Sequence, residues 1–222
     1  MSTTFVIDTS GPYCSLGVAR GDAVFCQQER LERTHNQHLL RMIDGLLKQA
    51  DVAPRNLDLI GFTQGPGSFT GVRIAAAACQ AMALAADCEV VAVTTSAALA
   101  ATAFATAESP GSGGGVQCLT SVLSRGEAYY LALYDAQGPQ HADELLTDAP
   151  EWLPAAGPET VLAGAFPPWL TGRLGEKQAV VEQVHPEALL RLVLSSKESA
   201  VDAAQALPKY FLGDTPWKKR NA

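Results

Sequence analysis

The pattern of the chain predicts an α/β protein in which helices flank a mixed β-sheet. Three observations carry that class. Three strand-like segments open the sequence, strand and helix patterns then alternate, and 47% of the 222 residues are hydrophobic against 18% charged. That is enough apolar material for a packed core. Residues 5–9 (Phe-Val-Ile-Asp-Thr) read as a buried strand that ends in a polar pair. Residues 14–20 and 23–28 alternate apolar and polar side chains around Gly21-Asp22, the pattern of a hairpin. A helix is expected from a Thr34 N-cap to about residue 50, with Leu39, Leu40, Ile43, Leu46 and Leu47 at helical spacing. A fourth strand (57–63), a helix to residue 86, a fifth strand (89–93) and a third helix (96–107) follow. Residues 109–115 hold four glycines and a proline, and read as a linker between two halves, 1–108 and 116–222. In the second half, strands are expected at 116–123, 128–134, 140–146, 161–165 and 178–184. A helix starting at Pro186 and an extended stretch over 207–212 complete it.

The sharpest local feature is Gln64-Gly-Pro-Gly-Ser-Phe-Thr-Gly-Val-Arg-Ile74, between a strand and a helix. Phosphate-binding loops sit at such junctions, because free N–H groups and the helix dipole favour anions. No lysine follows Gly71, so it is not a Walker loop, and Pro66 and Thr70 exclude a nucleophile elbow. Two readings stay open. Ser68, Thr70 and the helix start form an anion site, or the glycines make a tight turn and Ser68 or Thr70 caps the helix. Asp8-Thr-Ser-Gly11 lies where actin-like folds carry their first phosphate loop. Asp8 would hold a metal-bound water or the phosphates there, or else cap its own turn. The matching glycine-rich adenosine segment is missing from the second half. Its best candidate, residues 162–168, has one glycine and bulky neighbours.

The helix after the glycine loop is apolar almost all round. Its polar side chains, Arg73 and Gln80, are seven residues apart, and Asp87 follows at the same interval, so the three form one narrow stripe. A helix apolar on nearly every side needs cover on nearly every side, and one sheet covers one. The preceding helix has a similar surplus. Together they point to a second polypeptide over their outer face.

Composition excludes other classes. The net charge is −7, from 16 Lys+Arg and 23 Asp+Glu, which disfavours stand-alone nucleic-acid binding. Five scattered cysteines form no Cys-x-x-Cys pair and read as reduced thiols. His35 and His38 make a weak metal pair without a third ligand. No apolar run is expected to reach bilayer-spanning length, and the start lacks a basic leader, so a cytoplasmic location is expected.

Residues Phe5-Val-Ile-Asp-Thr-Ser10, His35, the string from Gly65 to Arg73, the Gly126-Glu127-x-Tyr129 turn and Pro208-x-Tyr210-x-Leu212…Trp217-Lys-Lys form a pattern that resembles the TsaB (YeaZ) family. The resemblance implies an actin/Hsp70/sugar-kinase (ASKHA) fold with two related lobes. It implies a non-catalytic subunit whose partner TsaD transfers a threonylcarbamoyl group to N6 of adenosine 37 in tRNAs reading ANN codons. The ATPase TsaE joins that pair. ATP and a metal ion belong to the partners, tRNA is met through the complex, and the chain forms a homodimer when alone. The first two helices would bind TsaD through His35, Leu39, Met42, Leu46, Val72, Arg73, Ala76, Ala77, Gln80 and Leu84. Catalytic and metal-binding residues are not expected, and Asp8, Ser68 and Thr70 are the only candidates for a cofactor. Two features depart from the family pattern: Val122-Leu-Ser124 stands where relatives have Asp-Ala-Arg, and Gly213 replaces an arginine. The rivals are an ATP-dependent phosphotransferase or metalloprotease-like enzyme, and an anion-binding homodimer.

Overall fold

The computed structural model describes residues 2–32, 34–106, 116–153, 160–174 and 181–211. The 109–115 linker and the Lys218-Lys-Arg220 tail lie outside the described residues. β1 (Thr3–Asp8), β2 (Tyr13–Arg20) and β3 (Ala23–Arg30) pair antiparallel in turn. β4 (Leu59–Thr63) and β5 (Glu89–Val93) add in parallel beyond β1, giving the order β3-β2-β1-β4-β5. The second sheet repeats the plan. β6 (Gln117–Arg125), β7 (Ala128–Asp135) and β8 (Gly138–Leu146) are antiparallel neighbours, and β9 (Thr160–Gly164) lies parallel to β6. Each sheet thus starts with a two-hairpin meander and then adds a parallel strand, which needs a crossover. Two lobes with one topology give the ASKHA-like fold.

Strand alternation sorts side chains into layers. Phe5, Ile7, Leu16, Val18, Ile60 and Phe62 face α1 (His35–Gln49) and α2 (Phe69–Ala86). Val6, Leu59, Val91 and Val93 face the other way, toward α3 (Thr95–Thr106) and α5 (Pro186–Ser195), which fill the space between the sheets. α4 (Pro168–Leu174) brings Leu170 to the far face of the second sheet, against Leu119, Leu131 and Leu133. Glycines let α5 come close: a Cβ on Gly61 would lie 2.3 Å from Val193, and one on Gly17 2.9 Å from Leu190.

The C-terminal half does not stay with its own sheet. After α5, Val201 exchanges backbone hydrogen bonds with Val90 beside β5, and the Lys209 N–H donates to the Gln64 carbonyl at 2.8 Å. Of the strand expected at 178–184, the described part contributes one bridge, Val181 to Ala163. α4 had no counterpart among the expected elements. Thr34 stands at the N-cap of α1, but its hydroxyl donates back to the Leu31 carbonyl and caps nothing. α2 corrects a further expectation. At 18 residues it is, by length and composition alone, apolar enough to cross a membrane. Here it packs one side on the first sheet.

Gly61→Ala is expected to lower stability by about 1–3 kcal/mol through overpacking against Val193. Adding Val193→Ala should recover part of that loss in thermal unfolding. A double variant no better than the sum of its singles would show that the contact is not the cause.

Candidate functional site

The β1–β2 turn and the glycine loop close on each other. Asp8 is buried, and its Oδ1 accepts from the Ser10 N–H at 3.1 Å, the Ser10 hydroxyl at 2.6 Å and the Thr63 hydroxyl. Burial raises its pKa, opposed by the hydrogen bonds from Ser10 and Thr63. Gly67 (φ +152°) would set a Cβ 2.5 Å from the Ser10 carbonyl oxygen, and Gly71 one 1.9 Å from that of Thr9. The Ser68 N–H donates to the Ser10 carbonyl at 2.7 Å, and the Thr9 hydroxyl to the Gly71 carbonyl at 2.8 Å. Ser68 Oγ accepts from the Gly71 N–H at 3.2 Å, so Ser68 is the N-cap and Thr70 lies inside the first turn.

A cleft of about 930 Å³ opens beside this joint, between the lobes. Ser10, Ser68, Thr70, Thr95, Ser121 and Ser124 give it hydroxyls. Its ionisable lining is Asp8, Glu32, Glu182, His35 and Tyr13, with no lysine or arginine among the described residues. Val122-Leu-Ser124, the departure from the family pattern, forms part of its wall. At the start of α3, Thr94 Oγ1 accepts from the Ala97 N–H at 3.1 Å and meets the Tyr134 hydroxyl at 3.3 Å. Ser96 donates to Asp143 of β8, tying the lobes together. Burial pushes Asp143 up to about 6, partly offset by Ser96 and Lys209. No sequence pattern marked Asp143, since Ser96 lies 47 positions away.

The ten residues expected on the partner face separate into two groups. His35, Leu39, Met42, Leu46, Val72 and Ala76 are buried in this chain's own core. They support the two helices and are not available to another molecule. His35 Nε2 lies 3.2 Å from the Tyr13 carbonyl, while His38 contacts Arg41, so the histidine pair does not converge. Arg73, Ala77, Gln80 and Leu84 remain on the outer side of α2. The structure adds Leu40 of α1, 74% exposed where Leu84 is 80%, and Phe69 and Tyr210 at 46% each. The Arg73 guanidinium stacks 3.3 Å from the Phe69 ring centroid and 4.8 Å from that of Tyr210, and donates to the Phe69 carbonyl. Tyr210 comes from the far end of the chain, so only the fold could reveal this cluster.

Comparison with known proteins fits this layout. A family model described as "TsaD: tRNA N6-adenosine threonylcarbamoyltransferase" matches residues 27–126, from β3 to the end of β6. The tRNA threonylcarbamoyladenosine biosynthesis protein TsaB of Haemophilus influenzae is 38% identical over 82 residues, 36% of this chain and 34% of that protein. TsaB of Escherichia coli K12 is 33% identical over 78 residues, 35% of this chain and 34% of that protein. These matches thus span about a third of each curated relative. The solved structure of YeaZ from Pseudomonas aeruginosa superposes with a TM-score of 0.76 at 30% identity, covering 95% of this chain and 100% of that one. A second structure, of a Pseudomonas aeruginosa protein with similarity to peptidase YEAZ, gives 0.77 at 31%, covering 95% and 99%. The chain belongs to the TsaB/YeaZ family.

The fold of this TsaB/YeaZ chain implies a nucleotide in the interlobe cleft, and the residues present do not fit one. The backbone of Gly67 and Gly71, which would approach a phosphate, is pressed against Ser10 and Thr9. Asp8 Oδ1 already accepts three hydrogen bonds. The acidic lining would repel phosphate groups.

Asp143 gives the protein a testable pH dependence. Its folded-state value lies above the ordinary 3.8, so its contribution is full below that pH and is lost as pH rises through about 6. Asp143→Asn removes the charge and can still accept from Ser96. We expect it to raise Tm above pH 6 and to flatten the wild-type decline. A wild-type Tm higher than the variant's above pH 6 would contradict the sign.

Proposed function

We propose that this protein is a non-catalytic activating subunit in the formation of N6-threonylcarbamoyladenosine in tRNA. It binds the transferase TsaD through the outer face of α1 and α2, with TsaE as the third component. The partner carries out the transfer at position 37 of ANN-reading tRNAs and, with TsaE, supplies the ATP and metal sites. This chain meets tRNA through the complex, in the cytoplasm, and self-associates when TsaD is absent. One observation carries the reading: an apolar outer face, with Leu40, Ala77 and Leu84 turned away from the sheet that α1 and α2 cover. The TsaD family model matches the stretch that contains both helices, which supports a transferase with counterpart helices to pack against them. Activation requires that this contact be stronger in one conformation of the transferase than in another, since equal binding shifts nothing.

The rival enzyme readings need a usable nucleotide or metal site. The occupied Asp8 carboxylate and the closed glycine loop weigh against the first. The divergence of His35 and His38 weighs against the second.

Reconstituted tRNA modification by TsaD and TsaE, with and without this chain, tests the proposal. Modified adenosine should depend on its addition. Ala77→Glu or Leu84→Arg buries a charge in the contact, and is expected to weaken TsaD binding by on the order of 2–4 kcal/mol with Tm unchanged. Folded variants that bind TsaD undiminished by calorimetry would remove α2 from the interface.

A further inference from the structure

Two carboxylates of the interlobe cleft lack a counter-charge. Asp8 belongs to its floor and is 3% exposed. Its three hydrogen bonds all fall on Oδ1, and Oδ2 accepts none among the described residues. Glu182, from the second half of the chain, is exposed at the mouth. The ion pairs among the described residues include neither of them, whereas Glu32, the third lining carboxylate, is held by Arg30 at 2.6 Å. Thr95 adds a further unanswered group. It lines the same cleft, is 4% exposed, and its hydroxyl has no hydrogen-bond partner among the described residues. The adjacent Thr94 caps α3, so the Thr95 hydroxyl is not used by the helix. Both inner groups are fastened to the end of β4: the Thr63 hydroxyl donates to Asp8, and the Thr95 N–H donates to the Gly65 carbonyl at 2.9 Å. Leu99 and Val122 add apolar surface to the cleft walls.

We propose that the cleft binds a small organic polycation, a linear aliphatic diamine or polyamine, that bridges the two lobes. One ammonium donates to Asp8 Oδ2 and to the Thr95 oxygen, the methylene chain lies along Leu99 and Val122, and a second ammonium meets Glu182. The lining selects this class. Its carboxylates repel an anion, and a neutral ligand would leave them unpaired. A bare metal ion is disfavoured, because no group of three His, Cys, Asp or Glu converges among the described residues. Burial raises the pKa of Asp8 by penalising its charged form, against the hydrogen bonds from Ser10 and Thr63. An ammonium on Oδ2 supplies the counter-charge that a buried carboxylate needs. Among the described lining residues only His35 is able to carry a positive charge, and its Nε2 lies against the Tyr13 carbonyl at 3.2 Å. The site does not depend on the TsaD contact, so either stands if the other fails.

Calorimetric titration of the full-length protein with 1,4-diaminobutane and with spermidine tests it, at about 0.15 M salt, where exposed charges beyond ~8 Å are screened. One saturable site per chain is expected, with butylamine bound at least about tenfold more weakly. Glu182→Gln should weaken the diamine by about three- to tenfold and leave butylamine nearly unchanged. Asp22→Asn, the same change of charge in the β2–β3 turn, should bind as wild type does. Thr95→Val separates a ligand site from a packing defect. Removing a buried hydroxyl without a partner should raise the Tm of the free protein, and here it should also weaken the diamine by about three- to tenfold. Asp8→Asn should abolish saturable binding, and circular dichroism reports whether that variant folds. Glu182→Gln and Thr95→Val decide the matter in either case. A titration without a saturable site, butylamine bound as tightly as the diamine, or a Glu182→Gln effect no larger than that of Asp22→Asn would overturn the proposal. So would a Thr95→Val protein with a raised Tm and undiminished diamine binding.

Discussion

A helix laid on a sheet can hide only one of its sides, and the molecule is organised around that constraint. α1 and α2 place Leu39, Met42, Ile43, Leu46, Leu47, Ala75, Ala76, Cys79 and Ala83 against the first sheet. Among the described residues, no further layer lies beyond them. α5, which could have formed another layer, packs on the opposite face of the same sheet, admitted by Gly17 and Gly61. The second half of the chain therefore thickens the middle of the molecule, and apart from the segment that brings Ala203, Ala206 and Tyr210 against the α2 side it leaves the outer face of the helices uncovered. Leu40 and Leu84 are exposed for that reason, and an apolar helical face of this kind is stable in solution when another chain covers it.

The same close packing explains why the interlobe cleft is a poor nucleotide site. In a phosphate loop, glycines let the backbone approach the ligand. Here Gly67 and Gly71 let it approach Thr9 and Ser10, and Asp8 fastens that turn with three hydrogen bonds to one oxygen. The glycine loop thus works as a structural joint between β1, β4 and α2. It fixes the start of α2, and through Lys209 and Phe211 it also anchors the C-terminal segment that carries Tyr210 to the outer face.

Much of this was legible in the sequence, for local reasons. Ser68 before an alanine-rich run and Asp87 after it bounded α2, and alternation about Gly21-Asp22 bounded the first hairpin. What sequence could not give was direction. On α2 nearly every residue is apolar, so hydrophobicity carries no phase, and Val72 and Ala76, expected on the outer face, lie against the sheet. On α1, Leu39, Ile43, Leu46 and Leu47 face inward, while Leu40, expected at the same helical spacing, is exposed. The contacts of Asp143 and Tyr210 were invisible because their partners are distant in sequence: Ser96 and Lys209 for the first, Phe69 and Arg73 for the second. α4 was missed because seven residues that follow one proline and begin with another carry almost no periodicity.

Hydrogen–deuterium exchange of the free chain against its complex with TsaD addresses the central claim most directly, because it reports which backbone is covered on binding. The account predicts slowed exchange in peptides from α1 and α2, and unchanged exchange in β7 and β8 of the second sheet. Protection confined to the second sheet or to the cleft walls, with α1 and α2 exchanging as they do in the free chain, would contradict it.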